Sequence, residues 1–359
     1  MKRKMEIETL HKKIGSWLSG SGNESDTVLS SRIRLARNLD KQPFCHLASS
    51  SQREETYNIV IEALRSSNFF SKGMFLRVDE LSKINRMLLV ERYLISLEHA
   101  QGKISSGLAV SEGEIISSMV NEEDHLRMQV LYPCLQLHEA FSLSREFERV
   151  MSKKVKFAVN KEFGFLTSCP TNVGTGLRAS VMVHLPALVI DEQIGQILQA
   201  VNKLGLAVRG TFGEGTHSIG SIFQISNQVT LGKSEEEIII DVEKMVKEII
   251  GYEQKAREKI LKNRRIEIED KIGRAYGVFS NAKVVSSKET IDLLSILKLG
   301  VDLGLLHSKN ITNDRINASR IQTQPAHLQK FAGRELTHHE RDVYRAKILK
   351  DIFSRKRGK

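Results

Sequence analysis

Hydrophobic and polar positions change their period along this chain, and the change divides it. Alternation with period two marks Lys156–Leu166, Ala179–Leu185, Leu204–Gly210 and Ser221–Asn227 as strands. They follow one another through mostly short connections, which predicts antiparallel pairing. Helical periodicity covers 52–66, 78–99, 190–203 and 234–263, and the last is long, charged on one face, and a natural bridge to whatever follows. Beyond Glu267 strand signals fade. Ser286-Ser287-Lys288-Glu289 has capping-box spacing ahead of a Leu-rich helix ending near Gly304, and Thr337-His338-His339-Glu340 repeats that spacing. The first 30 residues are polar, and Ser19–Ser25 reads as a loop or mobile arm. These patterns predict an α+β domain with an antiparallel β-sheet flanked by helices at 1–255, followed by an all-α domain at 256–359. No internal repeat or low-complexity segment interrupts them.

Composition changes this picture little. A chain of 359 residues exceeds one typical core, in keeping with two domains, and 40% hydrophobic with 27% charged residues is ordinary for a globular protein. Three cysteines (Cys45, Cys134 and Cys169), with no Cys-x-x-Cys pair, argue against a disulfide framework or structural zinc and for a reducing compartment. The basic N-terminus lacks the apolar core of a signal peptide, and no run approaches a membrane span, so cytoplasm is the expected location. A net charge of +11 raises the question of nucleic acid. Yet aromatics are only 6%, and none is interleaved with the basic runs Lys2–Lys4, Lys262–Arg265 and Arg355–Lys359 as stacking platforms would be.

Four segments carry chemistry. Cys169-Pro170-Thr171-Asn172-Val173-Gly174-Thr175 sets a thiol among small polar residues in a loop between strands; alone it also fits a buried Cys in a Pro-Gly turn. Ser30-Ser31-Arg32-Ile33-Arg34-Leu35-Ala36-Arg37-Asn38 spaces Arg32 and Arg34 two apart, on one face of a strand. Asn121-Glu122-Glu123-Asp124-His125-Leu126-Arg127 packs three carboxylates beside a His and an Arg, and Arg209-Gly210-Thr211-Phe212-Gly213-Glu214-Gly215 puts an Arg and a Glu on a Gly-rich loop. With these motifs in this order, from about Ser30 to Ser226, the chain resembles the phosphagen (guanidino) kinase family.

The chemistry of the residues agrees with that resemblance. Moving a γ-phosphoryl group requires positioning and charge neutralisation more than covalent help. Arg32, Arg34, Arg127, Arg178 and Arg209 are planar forks suited to caging the phosphates of ATP, whose Mg²⁺ leans on those phosphates and on water; Arg37 is read as a surface ion pair that braces its own loop. Glu123 and Glu214 are the expected catalytic carboxylates. A guanidinium acceptor has a pKa above about 12 against about 4 for a carboxylate, so removing its proton beforehand costs about 11 kcal/mol. The carboxylates are therefore expected to grip the guanidinium and accept its proton as the N–P bond forms, with Cys169 as a third negative contact. Glu122 and Asp124 either support other site residues or hold a metal-bound water, and His125 orients rather than acts as a base.

The resemblance itself implies a glutamine-synthetase-like sheet. It also implies an ATP site made of Ser30, Ser31, Arg32, Ile33, Arg34, Tyr93, Arg127, Arg178, Ala179, Ser180, Val181, Met182, Arg209, Gly210, Thr211, Phe212, Gly213 and Glu214. Tyr93 and Met182 stand where small-molecule relatives often have His. Only 29 residues precede Ser30, too few for the helical domain that closes over small guanidino acids, which implies an open acceptor site; about a hundred follow the kinase-like part. In this the chain resembles the bacterial protein-arginine kinases. Arg341-Asp342-Val343-Tyr344-Arg345-Ala346 matches the hexad that marks phosphoarginine binding in their C-terminal domain. Arg341 and Arg345, on one helical face, are expected to take the phosphate and Asp342 the ligand's guanidinium, in a pocket separate from the active site. The resemblance further implies phosphorylation of arginine in protein substrates, a Clp-type protease and a zinc-containing activator protein as partners, and a homodimer. The alternatives are a small-molecule guanidino kinase and a phosphoarginine-binding adaptor. Three decoys fail: Gly232-Lys233-Ser234 lacks the earlier Gly of a P-loop, Gly174–Ala179 precedes a strand where a dinucleotide fingerprint needs a helix, and His338-His339-Glu340 lacks metal-ligand spacing.

Overall fold

A computed structural model describes residues 6–210, 218–307 and 310–354. Its centre is an eight-stranded sheet of β1 (Val28–Arg37), β2 (Met74–Arg77), β3 (Gly107–Val110), β4 (Ile116–Val120), β5 (Leu126–Pro133), β8 (Leu177–His184), β9 (Leu206–Gly210) and β10 (Ile222–Asn227). The spatial order is β2-β3-β4-β5-β1-β8-β10-β9, with every pairing antiparallel. The first strand in sequence therefore lies at the middle, flanked by β5 and β8. A separate hairpin joins β6 (Val159–Asn160) to β7 (Gly164–Phe165).

Around the sheet run α1 (Ile7–Leu10), α2 (Ser50–Arg65), α3 (Lys83–Glu91), α4 (Leu137–Ser152), α5 (Pro186–Ile190), α6 (Ile194–Lys203) and α7 (Glu235–Asn281). Then come α8 (Ser287–Asp302), α9 (Asn313–Gln322), α10 (Pro325–Ala332) and α11 (His338–Phe353). Alternation on the central strands drives the layering. Ile33, Leu35, Val130, Ala179, Val181, Phe223 and Ile225 point to one side, at most 1% exposed, where α4 and α7 pack on the sheet. One apolar core runs on from there to Leu294, Leu297, Leu349 and Phe353 of the C-terminal helices.

Several elements differ from the periodicity reading, each for a local reason. Lys156–Leu166 is two short strands, because Asn160 Oδ1 accepts from the backbone N–H groups of Glu162 and Phe163 and turns the chain. The helix expected at 78–99 is confined to α3: Ser82 caps its start, and Tyr93 in the left-handed region (φ 59°) ends it. The stretch 190–203 divides at Glu192 (φ 60°) into α5 and α6, while 234–263 is the first part of the longer α7, which bends at Arg264 (φ −136°). Ser234, the end of the P-loop decoy, is the N-cap of α7 with a complete capping box, as is Thr337 for α11. Ser19–Ser25 is no free arm. Gly20 N donates to Asp314 Oδ1 (2.5 Å), Lys298 Nζ donates to the Ser25 carbonyl (3.0 Å), and neighbouring Trp17 is 3% exposed.

Buried charge ties the helices to the sheet. Glu253 on α7, with no exposed surface, accepts from the free N–H groups of Ala187 and Leu188 at the start of α5 (both 3.0 Å) and from Arg257 Nε (2.9 Å). Arg257 reaches on to Asp26, just ahead of β1. Glu253→Ala leaves two helix donors and a guanidinium unsatisfied, so urea unfolding of this variant should show a loss of about 3–5 kcal/mol; a loss below about 1 kcal/mol would remove this clamp from the account.

Candidate active site

Register decides what the other face of the sheet presents. Arg34 stands opposite Arg178 on β8 and Gln129 on β5; Arg127 on β5 stands opposite Ala36; Arg209 on β9 stands opposite Gln224, which faces Met182. Residues opposite one another share a face, so Arg32, Arg34, Arg127, Arg178 and Arg209 all project from the side away from the core. The same alternation sends Ser31, Ile33, Ala179 and Val181 the other way. Their side chains are buried in or against the core and point away from the arginine face, whereas those of Ser30, Ser180 and Met182 are on it.

Polar neutral groups, not carboxylates, hold two of these arginines. Arg32 donates to Ser180 Oγ (3.3 Å) and Gln224 Oε1 (2.7 Å), and Arg178 donates to Ser226 Oγ (3.1 Å). Arg34 makes no hydrogen bond or ion pair among the described residues, and its buried Nε has no partner. Burial, then the charges of Arg127 and Arg178, brings the Arg32 pKa down to about 10; burial, then Arg209 and Arg127, does the same to Arg178. Arg34 is pushed well below the usual guanidinium range by burial and by its three cationic neighbours. The face is a cluster of guanidinium groups whose charges oppose one another. Among the described residues only Arg127 of the five has a carboxylate partner, Glu122, at 2.8 Å.

That pair borders the acidic loop between β4 and β5. Asn121 takes the left-handed conformation (φ 55°) that a tight loop between β4 and β5 requires, and donates to the carbonyls of Arg53 (2.8 Å) and Ser105 (2.9 Å). Glu122, also bonded to Ser96, is held down to about pKa 2 by Arg127 and Ser96 against the opposing effect of burial. Glu123 has no such partner. It is exposed, and partial desolvation, then Asp124 and Glu122, raises its pKa. Asp124 accepts from Asn38 Nδ2 (2.6 Å) and Ser168 N (2.7 Å), clamping the segment that leads into Cys169. His125 accepts from Leu39 N at Nδ1 (3.0 Å) and bonds the Pro43 carbonyl through Nε2 (2.9 Å), so both ring nitrogens brace backbone. Glu122, Glu123, Arg127 and Ser168 line a cavity of about 630 Å³ together with His46 and Lys103.

The Cys169 loop is held at its far end. Arg37 donates to the carbonyls of Ala36 (2.7 Å) and Thr175 (2.9 Å), pairs with Glu148 (2.5 Å) and lies over the Phe165 ring; it braces the loop, but fully buried, not as the surface ion pair expected. Gly176 (φ 58°) packs where a Cβ would meet Arg37 Nη1 at 2.6 Å. Cys169 Sγ lies 3.0 Å from Thr171 Oγ1, its one hydrogen-bond contact among the described residues. Arg209 is exposed and Gly210 pairs with Phe223 at the end of β9; Thr211, Phe212, Gly213 and Glu214 lie outside the described residues.

Tyr93 carries a bulky side chain at a left-handed position that Gly usually fills, and its carbonyl accepts from Gln129 Nε2 (2.8 Å). Its ring meets Trp17 edge-on at 5.5 Å. Tyr93 and Arg32 line a second cavity, of about 820 Å³, and so does Arg341 from α11. Arg341 of the Arg-Asp hexad thus borders the same cavity as Arg32 of the arginine face. Within it Arg341 donates to the Leu336 carbonyl (2.8 Å). Arg345 is 1% exposed and committed inward, to the carbonyls of Thr323 and Val285 (both 2.9 Å) and to Asp342. Asp342 and Ala346 are buried, Tyr344 is partly covered and Val343 is exposed. The two arginines share a helix but not a direction.

Comparison with known proteins accords with this geometry. The signature described as ATP:guanido phosphotransferase, C-terminal catalytic domain, matches residues 55–256. The chain belongs to this family. The signature of the protein-arginine kinase McsB C-terminal domain matches 265–359. Curated relatives named protein-arginine kinase include one from Halothermothrix orenii, 43% identical over 96% of this chain and 97% of its own, and one from Geobacillus kaustophilus, 46% identical over 94% and 93%. Among solved structures, lombricine kinase aligns with a TM-score of 0.58 at 24% identity over 70% of this chain and 71% of its own. A taurocyamine kinase from Schistosoma mansoni reaches 0.58 at 24% over 68% and 35%. These two speak for the fold. Reading motifs alone missed Asn38, Ser96, Gln224 and Ser226, which hold the motif residues. Gln224 and Ser226 had a signal in their spacing of two on a strand; Ser96 had none.

If the arginine face is a site of uncompensated charge, Arg34→Met should raise the stability of the nucleotide-free protein by about 1–3 kcal/mol in urea unfolding while weakening nucleotide binding. A stability loss with binding intact would mean that Arg34 is structural.

Proposed function

We propose that the chain transfers the γ-phosphoryl group of ATP to the guanidinium of arginine side chains in protein substrates, as the name of its curated relatives suggests. The observation that carries this reading is one sheet face holding five arginines, with a carboxylate-lined cavity at the Arg127 end. In this reading the triphosphate lies along the arginines with its γ-phosphate toward Arg127. Mg²⁺ would be held chiefly by the phosphates and water, and would offset part of the triphosphate's charge. No group of three or more His, Cys, Asp or Glu able to hold a metal stands ready among the described residues. Arg127 is fixed by Glu122, so Glu123 keeps its oxygens free for the acceptor guanidinium, with Glu214 and Cys169 completing the grip. The acceptor nitrogen forms the N–P bond, the bond from the γ-phosphorus to its bridging oxygen breaks, the guanidinium proton passes to Glu123, and ADP leaves.

The cellular side of the proposal follows the resemblance. Phosphorylated substrates would pass to a Clp-type protease, a zinc-containing activator protein would assist, and the enzyme would work as a cytoplasmic homodimer. No described helix is long and apolar enough to cross a membrane. Phosphoarginine recognition is a second activity favoured by one observation, the Arg341 guanidinium at the edge of the larger cavity.

Glu123→Gln and Glu214→Gln should each lower kcat by about 10²–10⁴-fold, read by mass spectrometry of an arginine-containing protein under conditions that spare acid-labile N–P bonds. Calorimetry should show ATP affinity little changed. Near-full turnover in either variant removes that carboxylate from catalysis. Because Glu123 must be ionised and its pKa is raised, turnover should fall with decreasing pH above the ordinary glutamate range, and Glu123→Gln should abolish that limb. For the second activity, a phosphoarginine peptide titrated against Arg341→Ala should bind at least about tenfold more weakly than to the wild type. Unchanged affinity would place phosphoarginine elsewhere.

A further inference from the structure

Arg320 belongs to the C-terminal helices, and no motif singles it out. It sits on α9, which starts at the Thr312 N-cap and buries Ile316, Asn317, Ser319 and Ile321. Only 9% of Arg320 is exposed, and its Nε is buried without a hydrogen-bond partner. Among the described residues no carboxylate pairs with it, and its one side-chain hydrogen bond is from Nη2 to the Met182 sulfur at 3.9 Å, a weak acceptor. A guanidinium with five donors, removed from water, calls for oxygen acceptors that the described residues do not supply. The Tyr93 hydroxyl favours its charge only slightly against burial.

Its surroundings identify the missing acceptor. Arg320 lines the 820 Å³ cavity together with Arg32 and Tyr93. Met182 lies in the row of the sheet that runs through Ser30, Gln224 and Arg209, one step beyond the row of Arg32 and Ser180. Arg320 thus approaches the arginine face from above, at the end away from Arg127 and Glu123. Apolar Met87, Ile95 and Ile321 line the cavity beyond it.

We propose that Arg320 is a nucleotide-binding residue, donating to the α-phosphate and ribose oxygens of ATP held on the arginine face. This rests on the reading of that face as the nucleotide site. It makes the C-terminal helices a wall of that site: α9 supplies a sixth arginine to a face whose other five come from the sheet.

The test is calorimetric titration of the full chain with ATP and with ADP, comparing wild type, R320Q, R320K, R34A and R178A. R320Q should weaken both nucleotides by the same factor, roughly 10–100-fold for one charge-assisted contact, and R320K should recover part of the affinity. The rise in melting temperature on adding nucleotide should shrink in R320Q whatever its starting stability. R320Q with wild-type affinity, while R34A and R178A lose it, overturns the role of Arg320 and leaves the arginine face as the site. A loss confined to ATP overturns the placement at the α-phosphate. If R34A and R178A bind as wild type does, the nucleotide lies elsewhere and both readings fall together.

Discussion

Arg34 and Arg178 stand directly opposite one another on neighbouring strands, and an antiparallel ladder disfavours like charges in that relation. What holds them there is the other side of the same strands. Ile33, Leu35, Ala179 and Val181 are locked into a close-packed core, and a shift of one residue in register would send every one of them toward solvent. The core thus imposes the charge cluster. Neutral partners such as Ser180, Gln224 and Ser226 orient the guanidinium groups without neutralising them, and the field of the cluster is left for an incoming anion.

Carboxylates are rationed on this face in a way that separates its two ends. Glu122 is spent on Arg127, which fixes one arginine and leaves the Glu123 carboxylate beside it without a partner among the described residues. Asp124 is spent on Asn38 and Ser168, so the strand that carries the arginines, the acidic loop and the Cys169 segment are joined through one side chain. Arg37 repeats the device from the far end of that segment. Such supports keep a site within the fraction of an ångström that phosphoryl transfer demands, and they explain why residues with no chemical part lie inside the motifs.

The spacing of Arg32 and Arg34, the helix starts at Ser286 and Thr337, and the antiparallel character of the sheet were all legible in the chain, because each depends on a short-range rule. The strands β2 to β5 were not read from periodicity, since edge position, length and burial on both faces blur alternation. The end of α3 escaped because it uses Tyr93 where a Gly would have signalled a stop. Ser19–Ser25 looked solvated, yet its polar backbone is satisfied by Asp314 and Lys298, nearly three hundred residues away. The hexad was recognisable, but the inward turn of Arg345 toward Thr323 and Val285 depends on where α9 ends and α8 begins, which no local pattern encodes.

That inward turn bears on how the two parts of the chain communicate. Arg345 Nε holds the Thr323 carbonyl at the C-terminus of α9, three residues from Arg320. On the catalytic side, Glu91 of α3 accepts from the N–H groups of Ala326 and His327 at the start of α10, and from the His327 ring, which also meets Arg92. Arg92 is in turn paired with Glu114 in full burial. Helices α9 and α10 are therefore gripped at their shared connection from both sides, by a motif arginine below and by a sheet-side ion network above. A ligand that drew Arg345 away from Thr323 would act on the same turn of chain that positions Arg320. Any such ligand shifts the equilibrium only by its differential affinity for the two arrangements, so the buried bonds of Arg345 set the threshold it must exceed.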